Sequence, residues 1–125
     1  MAKVLDPRQR EAVEVPVNAV VTAGAGSGKT SVLAERFLWL LEHGGVEVDG
    51  ILALTFTRKA AAEMYERIYR RLQEGGECCR KALRSFDRAQ VSTLDSFCAE
   101  ILRNCCELFG LPPAFHSDEQ ALTRL

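Results

Sequence analysis

Apolar residues recur along this chain at two alternating spacings: uninterrupted runs, and stretches where they return every three or four positions. The first kind fits short buried strands and the second fits amphipathic helices. Residues 8–14 follow Asp6-Pro7, a capping residue and a first-turn proline, which predicts a short helix. Residues 17–22 are apolar, rich in valine and preceded by Pro16, which predicts a buried strand. A glycine-rich turn leads into a predicted helix over 29–43, with Leu33, Phe37, Leu40 and Leu41 on one face and Gly44-Gly45 ending it. A second strand is predicted over 51–56, bounded by Asp49-Gly50.

Ala60, Ala61, Met64, Ile68 and Leu72 share one face of a predicted helix over 59–72, closed by Gly75-Gly76. A further helix is predicted over 77–86 and a third strand over 90–93. The most regular helical stripe follows, made of Leu94, Phe97, Cys98, Ile101, Leu102 and Cys105, and Gly110-Leu111-Pro112-Pro113 breaks it. Ser117-Asp118-Glu119-Gln120 then reads as a capping box opening another helix. Strands alternating with helices predict an α/β fold, a parallel sheet with helices on both faces.

Composition adds bounds. The chain has 125 residues, 47% hydrophobic and 26% charged, enough to bury a real core. The formal net charge of −1 removes the simplest argument for nucleic-acid binding, a strongly basic chain. It masks an asymmetry, because residues 58–88 hold nine basic and five acidic side chains while the rest holds seven and twelve. No run reaches the ~18 apolar residues of a membrane span, and the first residues lack a secretion signal's apolar core. Cys78, Cys79, Cys98, Cys105 and Cys106 form no Cys-x-x-Cys, and His43 and His116 lie far apart. This reads as reduced thiols in a cytoplasmic protein, with Cys98, Cys105 and Cys106 expected to pack as small core residues.

The strongest chemical signal is Ala23-Gly24-Ala25-Gly26-Ser27-Gly28-Lys29-Thr30, a Walker A pattern with alanine in place of the first glycine. Small residues let backbone N–H groups converge on phosphates, and Gly24, Gly26 and Gly28 can take positive φ where the turn needs it. The start of the following helix adds partial positive charge. Lys29 can reach the β- and γ-phosphates, and Thr30 can offer its hydroxyl to Mg2+. These residues predict nucleotide binding, by a motor enzyme, a self-sufficient nucleotide-binding module or another P-loop enzyme such as a small-molecule kinase.

Three further segments narrow the choice: Leu5-Asp6-Pro7-Arg8-Gln9-Arg10-Glu11-Ala12-Val13, Leu54-Thr55-Phe56-Thr57-Arg58-Lys59-Ala60-Ala61-Ala62-Glu63-Met64, and Val91-Ser92-Thr93-Leu94-Asp95-Ser96-Phe97-Cys98. With the loop, they resemble in order the first four motifs of UvrD/Rep-type superfamily 1 DNA helicases. The third segment is most similar to the helicase subunits of AddA/RecB-type helicase–nucleases. The likeness spans residues 5–109. Two positions depart from it: Asp95 stands where UvrD and Rep carry histidine, and Arg58 where asparagine is common.

The resemblance implies a RecA-like, three-layer P-loop NTPase fold. Residues 1–110 would be the front half of the ATP-binding motor domain (subdomain 1A), and 111–125 the start of an inserted helical subdomain (1B). It implies ATP and Mg2+ as cofactors, with Gln9 reading the adenine base. It implies that Thr55, Phe56, Thr57, Arg58, Lys59, Thr93 and Ser96 contact single-stranded DNA. Phe56 could instead be core, and Asp95 is expected to cap the following helix. The implied partners are single-stranded DNA, the remainder of the helicase chain and a nuclease subunit. No strand ending in Asp-Glu and no second motor domain follow the third segment. The chain is therefore expected to be an N-terminal portion that turns nothing over alone.

Overall fold

The computed structural model describes residues 4–26 and 28–115. Among these the order is α1 (Pro7–Glu14), α2 (Lys29–His43), β1 (Leu52–Thr55), α3 (Arg58–Glu74), α4 (Glu77–Arg84), β2 (Gln90–Thr93) and α5 (Leu94–Asn104). Short 3-10 turns join them at Val48–Gly50, Phe86–Arg88 and Cys106–Phe109. The capping box at 117–120 lies outside the described residues.

Helix starts follow the local chemistry. Asp6 and Gln9 form a reciprocal capping box at α1, with Pro7 in the first turn. Thr57 caps α3 by accepting from the Ala60 N–H at 3.1 Å. Thr93 caps α5 by accepting from the Ser96 N–H at 3.1 Å. Asp95 was expected in that role but sits inside the first turn, where its charge still favours the positive end of the helix.

The core is a seam between α2 and α3 roofed by α4 and Phe86. It joins Ala34, Phe37, Leu38 and Leu41 to Met64, Ile68 and Leu72, with Cys79 and Ala82 above. Leu33, expected on the buried face of α2, is instead half exposed, because the stripe that meets α3 is rotated to Ala34 and Leu38. Phe86 meets Phe37 edge-on at 6.4 Å and lies against Tyr65 at 4.6 Å. Gly75 is required where α3 hands over to α4, since a Cβ there would overlap the Cys79 side chain. Burial, reinforced by the Glu42 carboxylate that accepts from the thiol at 3.4 Å, pushes the Cys79 pKa up.

β1 and β2 pair in parallel, with Ala53 opposite Val91 and Thr55 opposite Thr93. Ala53 and Val91 pack against the core. On the other face Leu52 is 45% exposed. The sheet is thus α/β and parallel, with one face covered by the main core among the described residues.

Four further expectations change. Residues 17–22 form no strand: they pair with nothing in the sheet, and Val17, Val20 and Val21 are exposed. An apolar run becomes a strand only where a neighbour takes up its backbone bonds, and residues 17–22 have no such neighbour among the described residues. The stripe of α5 is present but meets too little protein, so no residue of that helix is fully buried. Cys98 is exposed and Cys105 half-buried, while Cys79 and Cys106 occupy the interior, all five as free thiols. Finally, much of the basic surplus in 58–88 is matched by acids from outside it. Arg71 pairs with Glu35, Lys81 with Glu47 at 2.9 Å and Arg88 with Asp49 at 3.0 Å.

Among the described residues no helix is long and apolar enough to cross a membrane. Ile68 is fully enclosed where α3 faces α2. Ile68→Ala should lower the unfolding free energy by about 2–5 kcal/mol. Urea denaturation followed by circular dichroism checks this, and a loss below about 1 kcal/mol would show that the seam does not carry the fold.

Candidate functional site

The loop of the Walker pattern leaves the exposed 17–22 segment and turns at Ala25-Gly26 into α2. Gly26 has φ 75° and Gly28 φ 84°, a left-handed backbone that side chains beyond glycine rarely adopt. Gly24 was grouped with them but keeps an ordinary φ, with open space where a side chain would stand. Ala23 and Ala25 are exposed in the same turn, and Ser27 lies outside the described residues.

Gly28 caps α2 without a side chain, so the helix opens on bare backbone. Lys29 and Thr30 are its first two residues. The Lys29 ammonium folds back and donates to the Ala23 carbonyl at 3.0 Å, which spans the loop from end to end. Thr30 is half-buried beside it.

A cavity of about 630 Å3 connects this loop to α1. Gln9, Asn18, Thr22, Ala23, Lys29 and Arg36 are among the residues that line it. Gln9 is held by its own helix cap: its carboxamide oxygen accepts from the Asp6 backbone N–H at 3.0 Å, and its backbone N–H donates to the Asp6 carboxylate at 2.8 Å. A carboxamide carries two lone pairs and two N–H donors, enough to serve several partners at once.

Arg36 escaped the sequence reading. Its guanidinium donates to the Val13 carbonyl at 2.6 Å and lies 4.9 Å from the Trp39 ring. It therefore ties the end of α1 to α2 and sets Gln9 across the cavity from Lys29. Its place three residues before Trp39, beside the apolar face of α2, is the local signal it carries in the sequence.

The other sequence-predicted residues gather at the carboxyl ends of β1 and β2. Register places Thr55 opposite Thr93, so the 55–59 and 93–96 segments leave the same sheet edge. Ligands collect at that edge in open α/β sheets. The Thr55 hydroxyl donates to the Thr57 carbonyl at 3.0 Å. Phe56 is 89% exposed, which decides against a core role. Arg58 and Lys59 occupy the exposed first turn of α3, with Glu63 4.0 Å from Lys59. Thr93 is buried and donates to the Ser96 hydroxyl at 2.8 Å, so Ser96 faces solvent while Thr93 supports it from below.

Comparison with known proteins follows the same segments. Residues 5–124 match the model of the UvrD/REP helicase N-terminal domain. The chain is 41% identical over 116 residues to the AddA subunit of the ATP-dependent helicase/nuclease of Desulforamulus reducens, covering 86% of this chain and 9% of that protein. It is 40% identical over 116 residues to the protein of the same name from Natranaerobius thermophilus, with the same coverage. To the Staphylococcus aureus protein of that name it is 33% identical over 122 residues, 93% of this chain and 10% of the relative. The chain thus spans about a tenth of the length of these relatives.

Proposed function

The chain belongs to the UvrD/REP helicase N-terminal domain family, and on that premise we propose that it is the nucleotide-gripping part of a DNA motor. Its parent would be an ATP-dependent DNA helicase of the AddA type, acting in the cytoplasm with a nuclease subunit. Residues 1–110 would form the front half of a RecA-like, three-layer motor domain, with 111–125 starting the inserted helical subdomain. The observation that carries this reading is the cavity that joins Gln9 to Lys29 and Ala23.

Mg·ATP fits the chemistry of that cavity. Lys29 donates there to a neutral carbonyl. A phosphate oxygen is a better acceptor, because its negative charge adds direct charge–charge attraction to a bond in which only the donor is now charged. Gly26 and Gly28 take the left-handed backbone that such a loop needs, and the small residue types at Ala23, Gly24, Ala25 and Ser27 would let phosphates approach the backbone closely. Thr30 would supply the hydroxyl for Mg2+, and the Gln9 carboxamide would meet the adenine edge. When bound, ATP supplies the free energy of phosphoryl transfer to water, which Mg2+ assists by neutralising phosphate charge.

The chain's own share is binding and placement. Asp6 holds Gln9 in orientation, and Arg36 holds α1 against α2. The sheet edge would take single-stranded DNA through the hydroxyls of Thr55, Thr57 and Ser96, the charges of Arg58 and Lys59, and stacking on the exposed Phe56. Thr93, buried and bonded to Ser96, would steady that edge.

Two outcomes are expected. In calorimetric titration with Mg·ATP, Lys29→Ala should weaken binding at least about tenfold, one lost charge-assisted contact being worth more than 1.4 kcal/mol. Equal affinity in both proteins would remove the loop from nucleotide binding. In anisotropy titrations with a fluorescent oligothymidylate, the Arg58→Ala, Lys59→Ala double variant should bind more weakly. Its log–log salt slope should shrink by about 1.4, the contribution of two released counterions on a single strand. An unchanged slope would take DNA off this edge.

A further inference from the structure

Helices α2 and α3 each begin at one of the two proposed contact regions, the loop at Lys29 and the sheet edge at Arg58. Two side-chain links join the helices beside their apolar seam. The Arg67 guanidinium donates to the Ser31 hydroxyl. One turn on, Arg71 grips Glu35 with both arms, at 2.6 and 3.0 Å. Burial works against the Arg71 charge, but the Glu35 hydrogen bond outweighs it and holds the pKa well above the ordinary arginine value.

Ser31 and Glu35 are four residues apart, and so are Arg67 and Arg71. Each pair therefore lies on one helix face, and the numbers rise together, so the two helices run in the same sense where they touch. Arg58 precedes Arg67 by about 13 Å of helix and Lys29 precedes Ser31 by about 3 Å, at 1.5 Å per residue. The α3 edge thus stands roughly 10 Å ahead of the loop along a shared direction. The sites are separate but ride on one clamped pair.

Ser31 is the residue after Thr30 and is buried. Whatever moves the first turn of α2 moves Ser31. We propose that Arg67 is a positioning residue, holding the first turn of α2 in register with the DNA edge of α3 so that nucleotide and strand affinities are linked. Phosphates that draw in Lys29 and Thr30 displace that turn. Arg67 makes α3 share the displacement, and the Arg71–Glu35 fork makes the pair move as a unit. The inference rests on the two binding sites proposed above.

The test measures oligothymidylate affinity by anisotropy in the 125-residue chain, with and without saturating Mg·ADP. In the wild-type chain, affinity should change about fivefold or more, an ordinary size for coupled sites. In Arg67→Ala and in Ser31→Ala the change should fall below about twofold, while the separate affinities for Mg·ADP and for DNA move little. Arg67→Lys keeps a donor for Ser31 and should retain most of the linkage. Arg70→Ala, which breaks only the exposed pair with Glu66 on the far side of α3, should leave it whole. Should Arg67→Ala fail to fold, Ser31→Ala decides, since it removes the acceptor and leaves the guanidinium. Linkage that survives in Ser31→Ala overturns the proposal. So does an Arg67→Ala protein that loses nucleotide affinity while keeping the linkage, because Arg67 would then be a ligand-binding group. Binding of neither ligand by the wild-type chain would overturn the proposed function itself, and this inference with it.

Discussion

The seam between α2 and α3 is the constraint on which the rest of the molecule depends. Ala34, Phe37, Leu38 and Leu41 meet Met64, Ile68 and Leu72 along it. Each large side chain enclosed there contributes roughly 1.5–3 kcal/mol relative to exposure. Interdigitated side chains there resist sliding of one helix along the other. The Arg71–Glu35 fork adds a directional constraint, because a bidentate pair has one geometry. Both groups are about one-fifth exposed, dry enough for the pair to outrank an ion pair on the open surface. With the slide fixed, the starts of the two helices are fixed too, and every residue of chemical interest lies near one of those starts or is held against them.

The same arrangement bears on how a chain of net charge −1 could serve the polyanion proposed for it. The middle of the chain is basic, yet Glu35, Glu47 and Asp49 from outside it answer several of those charges. Those arginines and lysines fasten helices and turns together. The proposed DNA edge would instead rely on hydroxyls, one exposed ring and the two cations that open α3. Such an edge is modest in field and specific in position. Strand contact there would depend on where α3 points more than on the overall potential of the surface.

Local chemistry was legible in the sequence. The cap at Asp6, the glycines after α2 and α3 and the face of α3 all follow from residues within a turn of one another, whereas the cap of α5 lies at Thr93, two residues before the Asp95 that was expected to hold it. The Walker pattern is equally local, and the two glycines nearest α2 take the backbone it requires. What failed depended on distant partners. Periodicity marked 17–22 as a strand and α5 as an amphipathic helix, but a pattern states only that a surface can be buried, not what arrives to bury it. Cys106 is buried as expected, but the other cysteines failed for that reason: Cys79 is enclosed because Gly75 lets α4 close over it, whereas Cys98 lies on the uncovered side of α5. Long-range pairings were illegible for the same cause. Thr55 opposite Thr93, Arg67 on Ser31 and Arg36 on Val13 join residues 23 to 38 positions apart, and no spacing rule predicts them.

The central claim is that one nucleotide bridges α1 and α2, its base at Gln9 and its phosphates at Lys29. Competitive titration of wild-type and Gln9→Ala chains with Mg·ATP, Mg·GTP and Mg·tripolyphosphate tests it most directly. A preference for ATP over GTP in the wild type that disappears in Gln9→Ala, with tripolyphosphate affinity unchanged, is the predicted result. A Gln9→Ala chain that still prefers ATP, or that loses tripolyphosphate as well, would contradict the bridge.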